Sequence, residues 1–257
     1  MYIIGICYKK TDDFINSRDS FALAVELDKN DYKSYFELGR VLDETNKKET
    51  AVVMFNKALK IKPDFYEALE ALGICLTSQG FFKQAISIYL KALKFYPNSY
   101  ELWYNIGMLN MELKEFEKSE EAFKKAGEIR PDLYMAHYNV GKINYLKGNY
   151  DEAIKAYKKV VSSNNYGPKA YYKLAIIYAT KKDYDKALSL LEYAIELNSN
   201  FIEVSKNEVM FSGMKDKLND FLNARENKLK KEKDKHNYMR DNFKLFGKIR
   251  TKTIEEK

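Results

Sequence analysis

Trp103-Tyr-Asn-Ile-Gly107, Ser119-Glu-Glu-Ala-Phe123, Ala126 and Pro131 fall inside one window of 34 residues, and the same spacing recurs on either side of it. Glycines stand at Gly5, Gly39, Gly73, Gly107 and Gly141, each 34 residues after the last, and the next step lands on Ala175. Twelve residues beyond each of these come Ser17, Ala51, Ala85, Ser119, Ala153 and Ala187; four further on come Phe21, Phe55, Tyr89, Phe123, Tyr157 and Leu191. A third small series is Ala24, Ala58, Ala92, Ala126, Val160 and Ala194, and Pro63, Pro97 and Pro131 close three of the units. A fixed period of this size is the mark of a repeat architecture. Small residues at set points on two helices let the backbones approach closely, and a large ring one turn later fills the space beside that contact, so each unit reads as a helix hairpin. One hairpin cannot bury its apolar face alone, and stability has to come from stacking on neighbours. Gly80 and Gly148 sit where the chain turns between the two helices of a unit, whereas Asn46-Lys-Lys48 departs from that pattern. Asp64 and Asn98, each just after a proline, read as N-caps, with Glu67 and Glu101 completing capping boxes.

Composition points the same way. With 11 Gly and 4 Pro in 257 residues there are too few turn formers for a fold of many short strands, while 32% charged residues suit amphipathic helices. No uncharged apolar run reaches the length needed to span a bilayer. Tyr2 to Cys7 is apolar but has no basic residue before it and is shorter than the core of a signal peptide, so a cytoplasmic location is expected from the absence of targeting signals. Cys7 and Cys75 share one register two units apart, which places them on separate hairpins and argues against a disulfide. No phosphate-binding loop, dinucleotide fingerprint, zinc helix, nucleophile elbow or calcium loop occurs. His137 takes the packing place that Trp103 holds one unit earlier, and His236 lies in a charged tail. The expectation is therefore a chain with no catalytic, metal or cofactor site, and not an enzyme.

The quoted residues resemble the tetratricopeptide repeat family, whose W-x2-L-G-x2-Y, A-x3-F, P pattern has this 34-residue period. The resemblance implies an all-α fold, an α-α superhelical solenoid of helix-turn-helix repeats. It covers a partial, clipped unit over residues 1–31 and five full units over residues 32–65, 66–99, 100–133, 134–167 and 168–201. A capping helix is expected over residues 202–224, and a basic helical or disordered tail over residues 225–257. Gly5 and Tyr8 fall on first-helix positions, so Met1 begins inside a helix; a late start codon or a fragment of a longer array is the expectation, and a second copy of the chain can cover the apolar face so exposed.

In this family the first helices of successive units line a concave surface that holds a peptide or a helix of a partner protein. Carried over position by position, the resemblance places Phe36, Glu70, Tyr104, Tyr138 and Tyr172 fifth in their units, and Arg40, Ile74, Met108, Lys142 and Ile176 ninth. Asn105 and Asn139 are sixth, and Met111, Tyr145, Lys169 and Lys173 complete the expected groove. Tyrosines supply rigid amphipathic anchors and methionines adaptable packing, a composition suited to partner recognition. Glu67, Glu70 and Glu101 line the earlier units, and Lys142, Lys169 and Lys173 the later ones, which suits a partner with an acidic end laid toward Lys169 and Lys173. The carboxylate clamp of chaperone-binding relatives is half present: Asn139, Lys169 and Lys173 match it, but Tyr104 and Met108 stand where Lys and Asn are needed. The asparagine ladder of O-linked N-acetylglucosamine transferases is matched by Asn105 and Asn139 and not by Glu37, Ala71 or Lys173.

From Arg225 to Lys252 there are 11 Lys and Arg against 4 Asp and Glu, a net charge equal to the whole chain's +7. With Tyr238, Phe243, Phe246 and Ile249 interleaved, this tail is the rival site, able to tether the protein to nucleic acid or an anionic membrane, against the plainer reading of a solvated helix end.

Overall fold

The computed structural model describes residues 1–163 and 166–234, and every regular element among them is helical. The chain divides into two compact units, Met1–Ile143 and Asn144–Lys257, with the boundary inside one helix. The first unit holds α1 (Tyr2–Lys10), α2 (Phe14–Leu27), α3 (Tyr32–Glu44), α4 (Lys48–Ile61), α5 (Tyr66–Ser78), α6 (Phe82–Phe95), α7 (Tyr100–Glu112) and α8 (Phe116–Ile129), and most of α9 (Tyr134–Leu146). Within it α1 pairs with α2, α3 with α4, α5 with α6 and α7 with α8, and each hairpin packs on the next through α2–α3, α4–α5 and α6–α7. The second unit contains α10 (Tyr150–Lys158), α11 (Gly167–Thr180), α12 (Tyr184–Leu197) and α13 (Phe201–Lys206), then a 3-10 turn (Val209–Met214). Residues 215–234 are helical.

The glycine and the ring of each hairpin fit as the spacing demands. A Cβ on Gly5, Gly39, Gly73 or Gly107 would lie 2.7, 2.6, 2.3 or 2.8 Å from a ring carbon of Phe21, Phe55, Tyr89 or Phe123 respectively. Where the chain carries Ala175 instead of glycine, the facing residue is the smaller Leu191, and both are fully buried. In two hairpins a serine adds a hydrogen bond: Ser17 Oγ donates to Gly5 O at 2.9 Å and Ser119 Oγ to Gly107 O at 2.7 Å. Trp103 and His137 pack alike. The Trp103 indole N–H donates to Pro97 O at 3.4 Å, and His137 Nε2 lies 3.0 Å from Pro131 O, with the imidazole seated over Gly127. The Lys125 ammonium stands 4.3 Å from the centre of the Trp103 ring.

The turn inside each hairpin is more uniform than the sequence suggests. Asp12, Asn46, Gly80, Lys114, Gly148 and Lys182, spaced by 34, all have positive φ between 58° and 79°. Asn46, where the pattern fails in sequence, thus makes the same turn: its N–H bonds to Asp43 O and that of Lys47 to Leu42 O at 2.7 Å, just as the N–H groups of Gly80 and Phe81 close the next one. A left-handed conformation costs an L residue about 1–2 kcal/mol, offset in part by the lower entropy of its unfolded state. Lys114→Gly and Lys182→Gly are therefore each expected to stabilise the protein by about 0.5–1 kcal/mol. A rise in the thermal midpoint checks this, and an unchanged or lower midpoint contradicts it.

Two local expectations are corrected. The caps lie one residue beyond Asp64 and Asn98: Phe65 precedes α5 without any side-chain cap, and Ser99 caps α7, accepting from Leu102 N at 3.3 Å and bonding Glu101. In place of one helix over residues 202–224, the chain makes α13, the 3-10 turn and the start of the helix over 215–234. Phe211, Met214, Leu218 and Leu222 from this stretch join the core made by α11 and α12.

Candidate peptide-binding surface

In the first unit, α5, α7 and α9 bring several of the expected groove residues together. Tyr104 is half-buried with its ring against Phe123 at 5.3 Å, and the Asn139 amide approaches its hydroxyl at 3.5 Å. The same amide reaches Met108 Sδ at 3.8 Å. Met108 is 37% exposed beside that amide, and Ile74, at the same register on α5, is 51% exposed, so the ninth position carries an exposed apolar side chain in both units. Asn105, Met111 and Tyr138 are half-buried, and Lys142 is exposed. Arg40 is exposed and pairs with Glu44 at 3.5 Å.

At the end of α5 and α7 nearer their N-termini the surface is acidic. Burial, then the charges of Glu101 and Glu67, push the Glu70 carboxyl above its ordinary pKa. Burial likewise raises the Tyr66 hydroxyl, with Glu70 and Glu101 adding to the shift and a hydrogen bond shared with Ser99 opposing it.

Phe36 and Tyr172 are corrections to the expected groove, because both are buried. Phe36 is held between Phe55 and Phe65, with ring centroids 6.0 and 5.0 Å away. Phe65, just before α5, closes over it, which a fifth-position rule does not anticipate. In the second unit Tyr172 stacks on Phe201 at 4.8 Å and donates to Glu208 Oε2 at 3.3 Å; burial and that carboxylate raise its pKa. Lys173 stands 5.9 Å from the Tyr172 ring centre, and Lys169 is exposed, 5.7 Å from that of Tyr166. Tyr145 is half-buried against Tyr150 at 5.9 Å, and burial, Tyr150 and Glu208 raise its pKa.

Glu37 and Glu208 are the residues that position rules missed. Glu37 departs from the asparagine ladder, yet it pairs with Lys9 at 2.7 Å where both side chains are largely covered. Glu208 follows a short helix in a stretch where the repeat pattern has faded, and no spacing in the sequence announces its bond to Tyr172.

Cys7 is exposed and Cys75 buried; burial, with Asp43 beside it, pushes the Cys75 thiol up to about 11. Among the described residues no group of three or more His, Cys, Asp or Glu is placed to hold a metal, and no helix is long and apolar enough to cross a membrane. The expected basic tail begins inside the helix over 215–234, where Arg225 pairs with Glu192 and Glu196, and Glu226 with Lys206. These pairs tie its first charges to α12 and α13. His236, Tyr238, Phe243, Phe246 and Ile249 lie outside the described residues.

Family models described as tetratricopeptide repeat match residues 32–65, 100–133 and 132–200, together more than half of the chain. Among solved structures, YrrB, described as a TPR protein with an unusual peptide-binding site, is 23% identical and aligns over 74% of this chain and 99% of its own, with a TM-score of 0.61. A MamA protein is 25% identical over 69% of this chain and 96% of its own, with a TM-score of 0.60. MamA from Desulfovibrio magneticus RS-1 is 22% identical over 61% of this chain and 89% of its own, at 0.54. No curated protein matches the chain by sequence.

Proposed function

The chain belongs to the tetratricopeptide repeat family, whose members generally mediate protein–protein interaction, and from that premise we propose that it is a non-catalytic scaffold or adaptor. Its first-helix faces hold a peptide or helix of another protein, and in the first unit Tyr104, Met108 and Asn139 are the anchors. The observation that carries this reading is the exposed Met108 beside the Asn139 amide, with a second exposed apolar side chain, Ile74, at the same register of the preceding unit. The peptide-binding site ascribed to YrrB supports the mode in general and names no partner for this chain.

Ile74→Glu combined with Met108→Glu places two charges at positions already exposed, so the fold is expected to keep its thermal midpoint. Captured partner protein should fall at least about tenfold, the loss of a single interface hot spot. Native lysate passed over both proteins at moderate and high salt is the check. An unchanged set of partners removes the first-helix face of this unit from the function.

A further inference from the structure

At the ninth position of their units Arg40, Ile74, Met108 and Lys142 are exposed, whereas the equivalent Ile176 on α11 is 1% exposed. Its cover is the chain itself. Ile176, Tyr172 and Ala179 share a core with Phe211 and Met214 of the 3-10 turn, and the Phe211 ring meets that of Tyr172 edge-on at 6.1 Å. Glu208, immediately before the turn, accepts from the Tyr172 hydroxyl. The run Glu208-Val-Met-Phe-Ser-Gly-Met214 therefore lies on the face that other units leave open, as a bound peptide would, with its carboxylate three residues before an aromatic ring and six before a methionine.

The hold is local. Val209 and Met210 are exposed, as are Asn207, Ser212 and Gly213 around them. The described hydrogen bonds of the turn's backbone N–H groups are short-range, Phe211 N to Glu208 O at 3.1 Å and Met210 N to Glu208 Oε1 at 3.4 Å. A 3-10 turn held by two buried side chains, with Gly213 against the Tyr184 hydroxyl and its remaining residues exposed, is the kind of element that opens without unfolding its neighbours.

We propose that this face of α11 is a second recognition surface, filled in cis by residues 208–214, and that the partner it fits is a protein segment carrying a carboxylate three residues before an aromatic, which exchanges with the chain's own. This rests on the reading that first-helix faces receive peptides. While the cis segment is seated, the apparent affinity of an incoming segment falls by the fraction of time the face is free.

A fluorescein-labelled peptide of residues 205–216 provides the test, titrated by anisotropy against the full chain and its Phe211→Ala variant. The variant is expected to bind at least tenfold more tightly than the unaltered chain, and a peptide with alanine in place of its phenylalanine is expected to bind neither. A helical Phe211→Ala chain that takes up no peptide overturns the proposal. Hydrogen exchange on the unaltered chain decides independently of how that variant folds: amides of Val209–Met214 should exchange well before those of α12, and equal protection overturns exchange in cis. Repeating the titration with Ile74→Glu and Met108→Glu added keeps the two surfaces apart. Unreduced peptide binding places the site on α11 whatever becomes of the first unit's face, and its loss with those substitutions removes α11 as the locus.

Discussion

Gly107→Ala is expected to destabilise the protein by about 2 kcal/mol, although alanine is the better helix former by about 1 kcal/mol. The new Cβ would lie 2.8 Å from two carbons of the Phe123 ring, which is fully buried and has no room to withdraw. Phe123→Leu alone is expected to cost about 1–2 kcal/mol, through lost apolar contact and the space left behind. Together the two should cost clearly less than their sum, with a favourable coupling of about 1–3 kcal/mol. The chain contains the control, for Ala175 and Leu191 form that combination in the second unit and both are fully buried. Urea denaturation followed by helical circular dichroism gives all four corners of the cycle. Strict additivity would mean that the glycine and the ring do not share one space.

Lys9→Ala is expected to cost about 2 kcal/mol, between the value of an exposed ion pair and that of a fully buried one. Its ammonium lies 2.7 Å from Glu37, and the two side chains are 15% and 11% exposed. Without the lysine, the largely covered Glu37 side chain on α3 loses this ion-pair partner. Tyr2 crowds the same carboxylate: burial, then Glu37, raise its hydroxyl pKa. Replacing both partners, with Lys9→Met and Glu37→Leu, should recover most of the loss, since two apolar groups of similar size need no solvation. Denaturation midpoints of the singles and the double measure it. A loss below about 0.5 kcal/mol for Lys9→Ala would place the pair among surface ion pairs of little consequence.

The hairpins were legible because their determinants are local and periodic. Gly73 demands close approach and Tyr89 supplies the ring, sixteen residues apart on adjoining helices, so one sequence shows both halves of the contact. The turn at Asn46 was hidden because the left-handed conformation tolerates several residue types, and glycine marks it in only two of six places. Asparagine reaches that conformation with its short polar side chain, while Lys114 and Lys182 are carried there by the hydrogen bonds that close the turn.

The groove was less legible, because exposure depends on what crosses a face and not on the residue's own position. Phe36 and Tyr104 both stand fifth in their units, yet Phe65 covers the first, and the second is only half-buried. Tyr172 shows the same rule at longer range, since the residue that bonds it, Glu208, lies 36 positions further on, beyond the last repeat. Spacing within a unit holds no information about a segment outside the periodic region.

Trp103 is the chain's one tryptophan among 21 tyrosines, seated under the Lys125 ammonium with its indole N–H on a loop carbonyl. Its emission is thus a built-in optical gauge of one place, the junction of α7 with the loop before it and with α8. A cation over the ring and a tethered indole nitrogen both set its colour, so a shift reports loosening of that junction without any attached dye. The second unit has no tryptophan of its own and adds nothing to this emission, so the signal follows the first unit alone as the protein melts.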